Sequence, residues 1–254
     1  MGLLALECPR DNTMIRNNPS SKVTEIISGD AVQSMVHDLR TPITVIKGNL
    51  QLLLSGVMGQ MSDEQMLLIR RSVGPLEDLI LMTENLLQAS TLEKSEMTLK
   101  LEDTELDKLL SETIDFYAVP FKQREMEIYR HGNTFGTKLR VDSFWMKRVL
   151  NNLIWNAYKY TPDHGKVVIY VKHCGEDLEL VVEDNGRGIP ADKIGAIFEK
   201  YAQASPQRDR KLGYGLGLWI CKRVLEMHGG SIRAESEEGK GSRFILKIPA
   251  RCIL

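Results

Sequence analysis

The sequence predicts two structural units. The first is an N-terminal helical hairpin that dimerises into a four-helix bundle, and the second is an α/β sandwich built on one sheet with a few helices. Three observations carry this: apolar residues recur at alternating spacings of three and four along two stretches before Glu93, the period changes to short alternating runs after it, and two glycine-rich segments punctuate the second half. A chain of 254 residues suffices for two small domains. We delimit a linker or tail at 1–28, a helical unit at 29–93 and an α/β unit at 94–254.

Each element follows from local signals. The polar stretch Arg16 to Ser21 reads as linker. Val32, Val36, Leu39, Ile43, Ile46, Leu50, Leu53 and Val57 form the apolar seam of a first helix that starts near Asp30 as N-cap and fades at Ser55-Gly56. Ser62 and Gln65 have capping-box spacing for a second helix, whose seam is Met66, Ile69, Val73, Leu76, Ile80, Thr83 and Leu87 and which Gly74-Pro75 interrupts and kinks. A hairpin cannot bury both seams by itself, so dimerisation is the economical solution; the alternative is that the seams pack on the C-terminal domain.

Beyond Glu93, residues 97–101 alternate like a strand, 107–118 look helical, and 127–130 and 139–141 read as short strands. Asp142 caps a helix reaching Tyr160, which Thr161-Pro162 stops. Residues 167–171 and 178–183 are strands. A helix spans 216–228 and ends at Gly229-Gly230, and 231–236 with 243–248 form a closing hairpin.

Composition narrows the partners. A net charge of −1 gives no basic footprint, so nucleic acid is not expected as a partner. Cys8, Cys174, Cys221 and Cys252 are scattered without a paired spacing, which disfavours a zinc site or disulfide scaffold and suits a reducing cytoplasm. No uncharged apolar run is long enough to span a membrane, and the first residues do not read as a signal peptide.

The chemistry begins at His37, within His37-Asp38-Leu39-Arg40-Thr41-Pro42. His37 follows the seam residue Val36 and is expected to face water, with Asp38 beside it and Thr41 one turn on, so an imidazole, a carboxylate and a hydroxyl share an edge. Pro42 deprives the Asp38 carbonyl of its helical partner and should loosen the helix just there.

In the α/β unit, Asn152 and Asn156 are one turn apart, with Lys159 and Tyr160 on the next. An amide oxygen can ligate Mg²⁺, and an ammonium can balance phosphate charge. After an apolar strand comes Asp184-Asn185-Gly186-Arg187-Gly188-Ile189-Pro190, where Gly186 and Gly188 allow close approach of a flat ligand and Asp184 can accept from an exocyclic amine such as that of adenine. Gly213-Tyr214-Gly215-Leu216-Gly217-Leu218 opens a helix, whose N-terminal amides favour phosphate. It does not match the dinucleotide fingerprint. Between these segments, Phe198-Glu199-Lys200-Tyr201 leads into a polar loop carrying Arg208, Arg210 and Lys211, read as a lid over a triphosphate.

The string at His37 resembles the phosphorylation box of two-component sensor histidine kinases, with Asp38 where that family more often has glutamate. Residues 152–162, 184–190, 198–201 and 213–218 resemble, in order and spacing, the N, G1, F and G2 boxes of its ATP-binding domain. The resemblance implies the Bergerat-type sandwich shared with gyrase, the mismatch-repair ATPase MutL and a heat-shock chaperone. It further implies ATP with Mg²⁺ as cofactors: Asn156 on the metal, Lys159 and Tyr160 near the phosphates, Asp184 reading adenine, and the two glycine segments, Ile189 and Leu218 included, framing the pocket. Where the ATPases of this superfamily place a water-activating glutamate, the sequence has Asn152, and an amide cannot take that proton.

The expected activity is an ATP-dependent histidine autokinase: His37 as phosphoacceptor, Asp38 as its base, and onward transfer to an aspartate of a response-regulator receiver domain. Thr41 is expected to serve the reverse, dephosphorylating reaction. The expected setting is a cytoplasmic homodimer, either free-standing or the cytoplasmic part of a membrane sensor. Two rivals are a nucleotide-binding scaffold without chemistry and an ATP-driven clamp; the complete motif set disfavours the first and Asn152 the second.

Overall fold

The computed structural model describes the chain except residues 1–28, 95, 96, 133, 135 and 203–214, and except the side chains of 29–33 and His37. Two long helices come first, α1 (Gly29–Leu54) and α2 (Asp63–Glu93), packed on each other as a hairpin. The Ser62 hydroxyl accepts from Gln65 N at 3.2 Å while Gln65 Oε1 accepts from Ser62 N at 2.9 Å, so the capping box forms in both directions. Both helices run through their prolines, Pro42 and Pro75, without a break. The expected interruption at Gly74-Pro75 is therefore not there: one lost backbone bond is outweighed by the helical turns and hairpin contacts on either side.

The rest is β1 (Glu102–Glu105), α3 (Leu106–Gln123), β2 (Glu127–His131), β3 (Lys138–Val141), α4 (Ser143–Tyr160), β4 (Lys166–Cys174), β5 (Asp177–Asp184), α5 (Gly217–Met227), β6 (Ser231–Glu237) and β7 (Gly241–Ile248). The main sheet has the order β2-β4-β5-β7-β6, with β2 parallel to β4 and every other pairing antiparallel. Helices α3, α4 and α5 pack on the sheet over a core that includes Leu110, Leu150, Ile154, Ile169, Leu180 and Ile220. On the polar side, cross-strand pairs such as Arg243 with Glu183 and Arg233 with Glu179 cover the strands.

Three expectations need correction. The alternating residues 97–101 are not a strand: Met97 and Leu99 pack on the core and Lys100 N donates to Asp142 Oδ2 at 2.9 Å, but no neighbouring strand supplies a ladder. Strand β1 begins at Glu102 and pairs only with β3, so the domain has a separate two-stranded ribbon besides its main sheet. Helix α3 continues past 118 through Pro120 to Gln123, which buries Phe121.

Asp142 ties these parts together. Its Oδ1 caps α4 by accepting from Trp145 N at 3.2 Å, and its own N–H donates to Nε2 of the buried His228 at 3.0 Å. The other ring nitrogen of His228 lies 2.8 Å from Val224 O, so the network assigns the neutral Nδ1–H tautomer. Burial lowers the pKa of His228.

Candidate nucleotide-binding and phosphoacceptor site

The glycine segment after β5 is built around Asp184. Its carboxyl group is buried, and Oδ1 accepts from Gly186 N at 2.9 Å. Desolvation pushes its pKa up to about 6 against the opposing backbone N–H groups of Gly186 and Ser242. The group remains largely a carboxylate at neutral pH and is available as an acceptor.

Glycine is required along this turn. A Cβ on Gly186 would sit 2.5 Å from Tyr160 O, and one on Gly188, at φ +70°, would sit 2.1 Å from Glu237 O. The backbone of Arg187 is clamped on both sides: its N–H donates to Tyr160 O at 3.1 Å and its carbonyl accepts from Gly239 N at 2.7 Å. The Arg187 guanidinium lies 4.4 Å above the Tyr160 ring. Tyr160, Asp184, Gly186 and Gly188 are thus brought together, with Ile189 packed against the core beside them.

Two contributors escaped sequence reading. Ser236 Oγ accepts from Ile189 N at 2.8 Å and lies 2.7 Å from Gly241 O, while a Cβ on Gly241 would meet Asp184 O at 2.0 Å. Both belong to the closing hairpin, where the Glu238-Gly239-Lys240-Gly241 turn was the available signal.

The start of α5 makes a second set of contacts. Gly215, at φ +70°, has no room for a Cβ, which would lie 2.4 Å from Ala202 O, and its carbonyl accepts from Tyr201 N at 2.9 Å. Asn152 is buried and donates through Nδ2 to Gly217 O at 3.2 Å, linking α4 to the first turn of α5. A Cβ on Gly217 would make only ordinary contacts at 3.6 Å, so that glycine is not sterically required. Leu216 is buried in the core and Leu218 packs against it. Arg208, Arg210, Lys211 and Gly213 lie outside the described residues.

Asn156 is half-buried on α4. Lys159, one turn on, does not join the Asp184 cluster through any contact described above; its Nζ lies 3.7 Å from Asp78 Oδ1 on α2. On α1, Asp38 and Thr41 are exposed, and Arg40 between them pairs with Glu84 of α2 at 3.6 Å. Among the described residues, no cluster of three His, Cys, Asp or Glu could by itself hold a metal.

The two halves meet along α2. Arg148 of α4 bonds Gln88 at 2.6 Å, Asn85 at 2.9 Å and Glu84 at 3.4 Å, and Ala89 and Leu92 join the core of the α/β domain. An open cleft of about 410 Å³ at this junction is lined in part by Arg40, Glu84, Phe144 and Arg148. No helix among the described residues is long and apolar enough to cross a membrane.

A helical hairpin with an exposed polar string on its first helix, docked to a sandwich with a buried aspartate framed by obligatory glycines, defines a phosphoacceptor module joined to an ATP-binding module. Comparison with known proteins agrees. Residues 28–95 match the His Kinase A (phospho-acceptor) domain, and residues 141–251 match the histidine kinase-, DNA gyrase B- and HSP90-like ATPase family. The chain belongs to the sensor histidine kinases of two-component systems.

It is 28% identical over 236 residues to the alginate biosynthesis sensor protein KinB of Pseudomonas aeruginosa, covering 93% of this chain and 39% of that protein. It is 31% identical over 221 residues to the sensor histidine kinase WalK of Bacillus subtilis, covering 86% of this chain and 36% of that protein. The chain therefore spans well under half the length of these relatives. Among solved structures, full-length ShkA in complex with AMPPNP superposes with a TM-score of 0.68 at 22% identity over 88% of this chain and 46% of that one, which is a likeness of fold. The catalytic domain of the histidine kinase ThkA matches with a TM-score of 0.52 at 26% identity, over 60% of this chain and 97% of that one.

Proposed function

We propose that the chain transfers the γ-phosphoryl group of ATP to His37 and passes it on to an aspartate of a receiver domain, working as a cytoplasmic homodimer. One observation carries this reading: a hairpin whose first helix bears the string His37 to Pro42 is docked, through its second helix and in one chain, on a domain whose buried Asp184 and cramped glycines suit adenine.

In this reading a neutral ring nitrogen of His37 attacks the γ-phosphorus, an N–P bond forms, the bond to the bridging oxygen breaks and ADP leaves. Asp38 takes the ring proton. Asp184 accepts the exocyclic amine of adenine, and Lys159 offsets phosphate charge. A lone amide such as that of Asn156 suits Mg²⁺, which keeps several waters and relies on substrate phosphates for its remaining ligands; bound there it would neutralise charge on the transferred group. Asn152 is already engaged with Gly217 O and has no basic lone pair for water, which favours transfer to histidine over hydrolysis.

The test is incubation with γ-labelled ATP. Acid-labile, base-stable phosphoprotein is expected, lost in His37→Gln and reduced by about 10²–10⁴-fold in Asp38→Ala. Label retained in His37→Gln would remove His37 as acceptor, and hydrolysis without phosphoprotein would favour the ATPase clamp. Thr41→Ala is expected to spare this step and slow removal of phosphate from the regulator.

A further inference from the structure

The α/β domain meets α2 through cations. Arg148 is held by Glu84, Asn85 and Gln88, Lys200 of the segment between β5 and α5 lies 2.5 Å from Glu93, and Lys159 faces Asp78 at 3.7 Å. Asp78, Asn85 and Leu92 recur at heptad spacing, so one stripe of α2 receives the domain. The Lys159 side chain is only 9% exposed, against 36% for Asp78, and its Nζ lies 5.5 Å from the Trp155 ring. Little of this side chain faces solvent while the domain is docked. A phosphate reaching it would stand beside the Asp78 carboxylate, two anions around one cation in a partly desolvated place, where repulsion is strong.

We infer that Asp78 competes with nucleotide phosphate for Lys159, so that docking of the α/β domain on its own α2 and binding of ATP oppose each other. This rests on the reading of Lys159 as a phosphate-binding residue. The docked arrangement is a resting state: the adenine end around Asp184 is formed, whereas the cation meant for the phosphates is committed to the hairpin. Arg148 maintains the arrangement, and its partner Glu84 also holds Arg40, one turn beyond His37. ATP that captures Lys159 thereby weakens the domain's hold near the phosphoacceptor helix. By linkage, weakening that hold raises apparent ATP affinity by the gain in the binding-competent fraction.

Calorimetry on the full chain tests this with two probes, Mg-ATP and adenosine, which lacks phosphates. Asp78→Asn removes the charge at a half-exposed position and keeps the side chain's shape. It is expected to tighten ATP by about threefold to tenfold and leave adenosine unchanged, with the gain vanishing when Lys159→Met is added. If Lys159→Met weakens ATP but Asp78→Asn changes nothing, the competition is refuted and the phosphate role of Lys159 stands. If Lys159→Met leaves ATP affinity unchanged, the underlying reading of Lys159 fails and the inference with it. A gain that persists in the double variant, or that extends to adenosine, overturns the pairing as its cause.

Discussion

The hairpin and the α/β domain solve the burial problem differently. In the domain, helices and sheet close around a core whose central residues have no exposure, whereas α1 retains Leu39 at 51% and Ile46 at 49% exposure within its own seam while Val36 and Ile43 are covered by α2. The heptad frame is wider than one partner helix can cover. A single chain closes the core of the α/β domain but leaves the hairpin with an apolar stripe, which is the physical case for a second copy.

The sharpest way to break this contrast is His37→Gln. If the two modules are chemically separate, phosphoprotein is lost entirely while ATP affinity measured by calorimetry stays within about twofold. A large loss of ATP binding would show that the modules do not act independently.

Charge in the uncovered stripe comes next. Ile46→Glu should convert the dimer to monomer or aggregate by light scattering, since an apolar interface cannot take an unpaired charge cheaply. The ellipticity and ATP affinity of the α/β domain should persist. Ile43→Glu is a harsher variant, because Ile43 is already buried within one chain.

Asp184→Asn replaces a paired acceptor with a mixed amide and should weaken ATP by about 1–3 kcal/mol, read by calorimetry. The wild-type protein should mimic this in part in acid: with a pKa of about 6, Asp184 loses its charge as pH falls below neutrality and ATP affinity drops with it. Equal affinity at pH 7.5 and 5.5 would remove the carboxylate from adenine recognition.

The smallest effect concerns stability. Neutral His228 accepts from Asp142 N–H, an arrangement that a proton on Nε2 destroys, and its folded pKa lies below the unfolded value of about 6.5. In that window the unfolded chain binds more protons, so this contribution is complete above about pH 6.5 and is lost as pH falls. Asp184 acts with the opposite sign, its raised pKa favouring the folded state as pH falls. The useful observable is therefore the difference in melting temperature between wild type and His228→Gln, which should shrink from pH 7.5 to 5.5. A constant difference would show that His228 does not titrate on unfolding.

Elements specified by neighbouring residues were legible in the sequence. The capping box at Ser62, the cap at Asp142, the stop at Thr161-Pro162 and the strands of the main sheet all rest on local chemistry, and the glycine segments pointed to the candidate site by their order alone. What was not legible depends on distant partners. Residues 97–101 have the alternation of a strand but no ladder, because the register of β1 on β3 begins at Glu102, after them. Ser236 and Gly241 reach the Asp184 turn only because β7 lies beside β5 and β6 beside β7, neighbours far away in the chain. Lys159 has the spacing of a phosphate ligand, and nothing local announces that Asp78 of another helix takes it up.

The position of β7 between β5 and β6 has a consequence for synthesis. The hairpin's contacts are local and can form while the ribosome is still translating. Strand β5, by contrast, is made well before the strand that satisfies its second edge, with α5 and β6 intervening. Until β7 arrives, the row of N–H and C=O groups along Leu178 to Asp184 is open, flanked by Leu180, Val181 and Val182 that the finished domain buries. An unpaired apolar edge of this kind is a template for association with other chains. The nascent protein thus passes through a period in which its hairpin is already complete while the domain that follows still presents an edge that must avoid other chains.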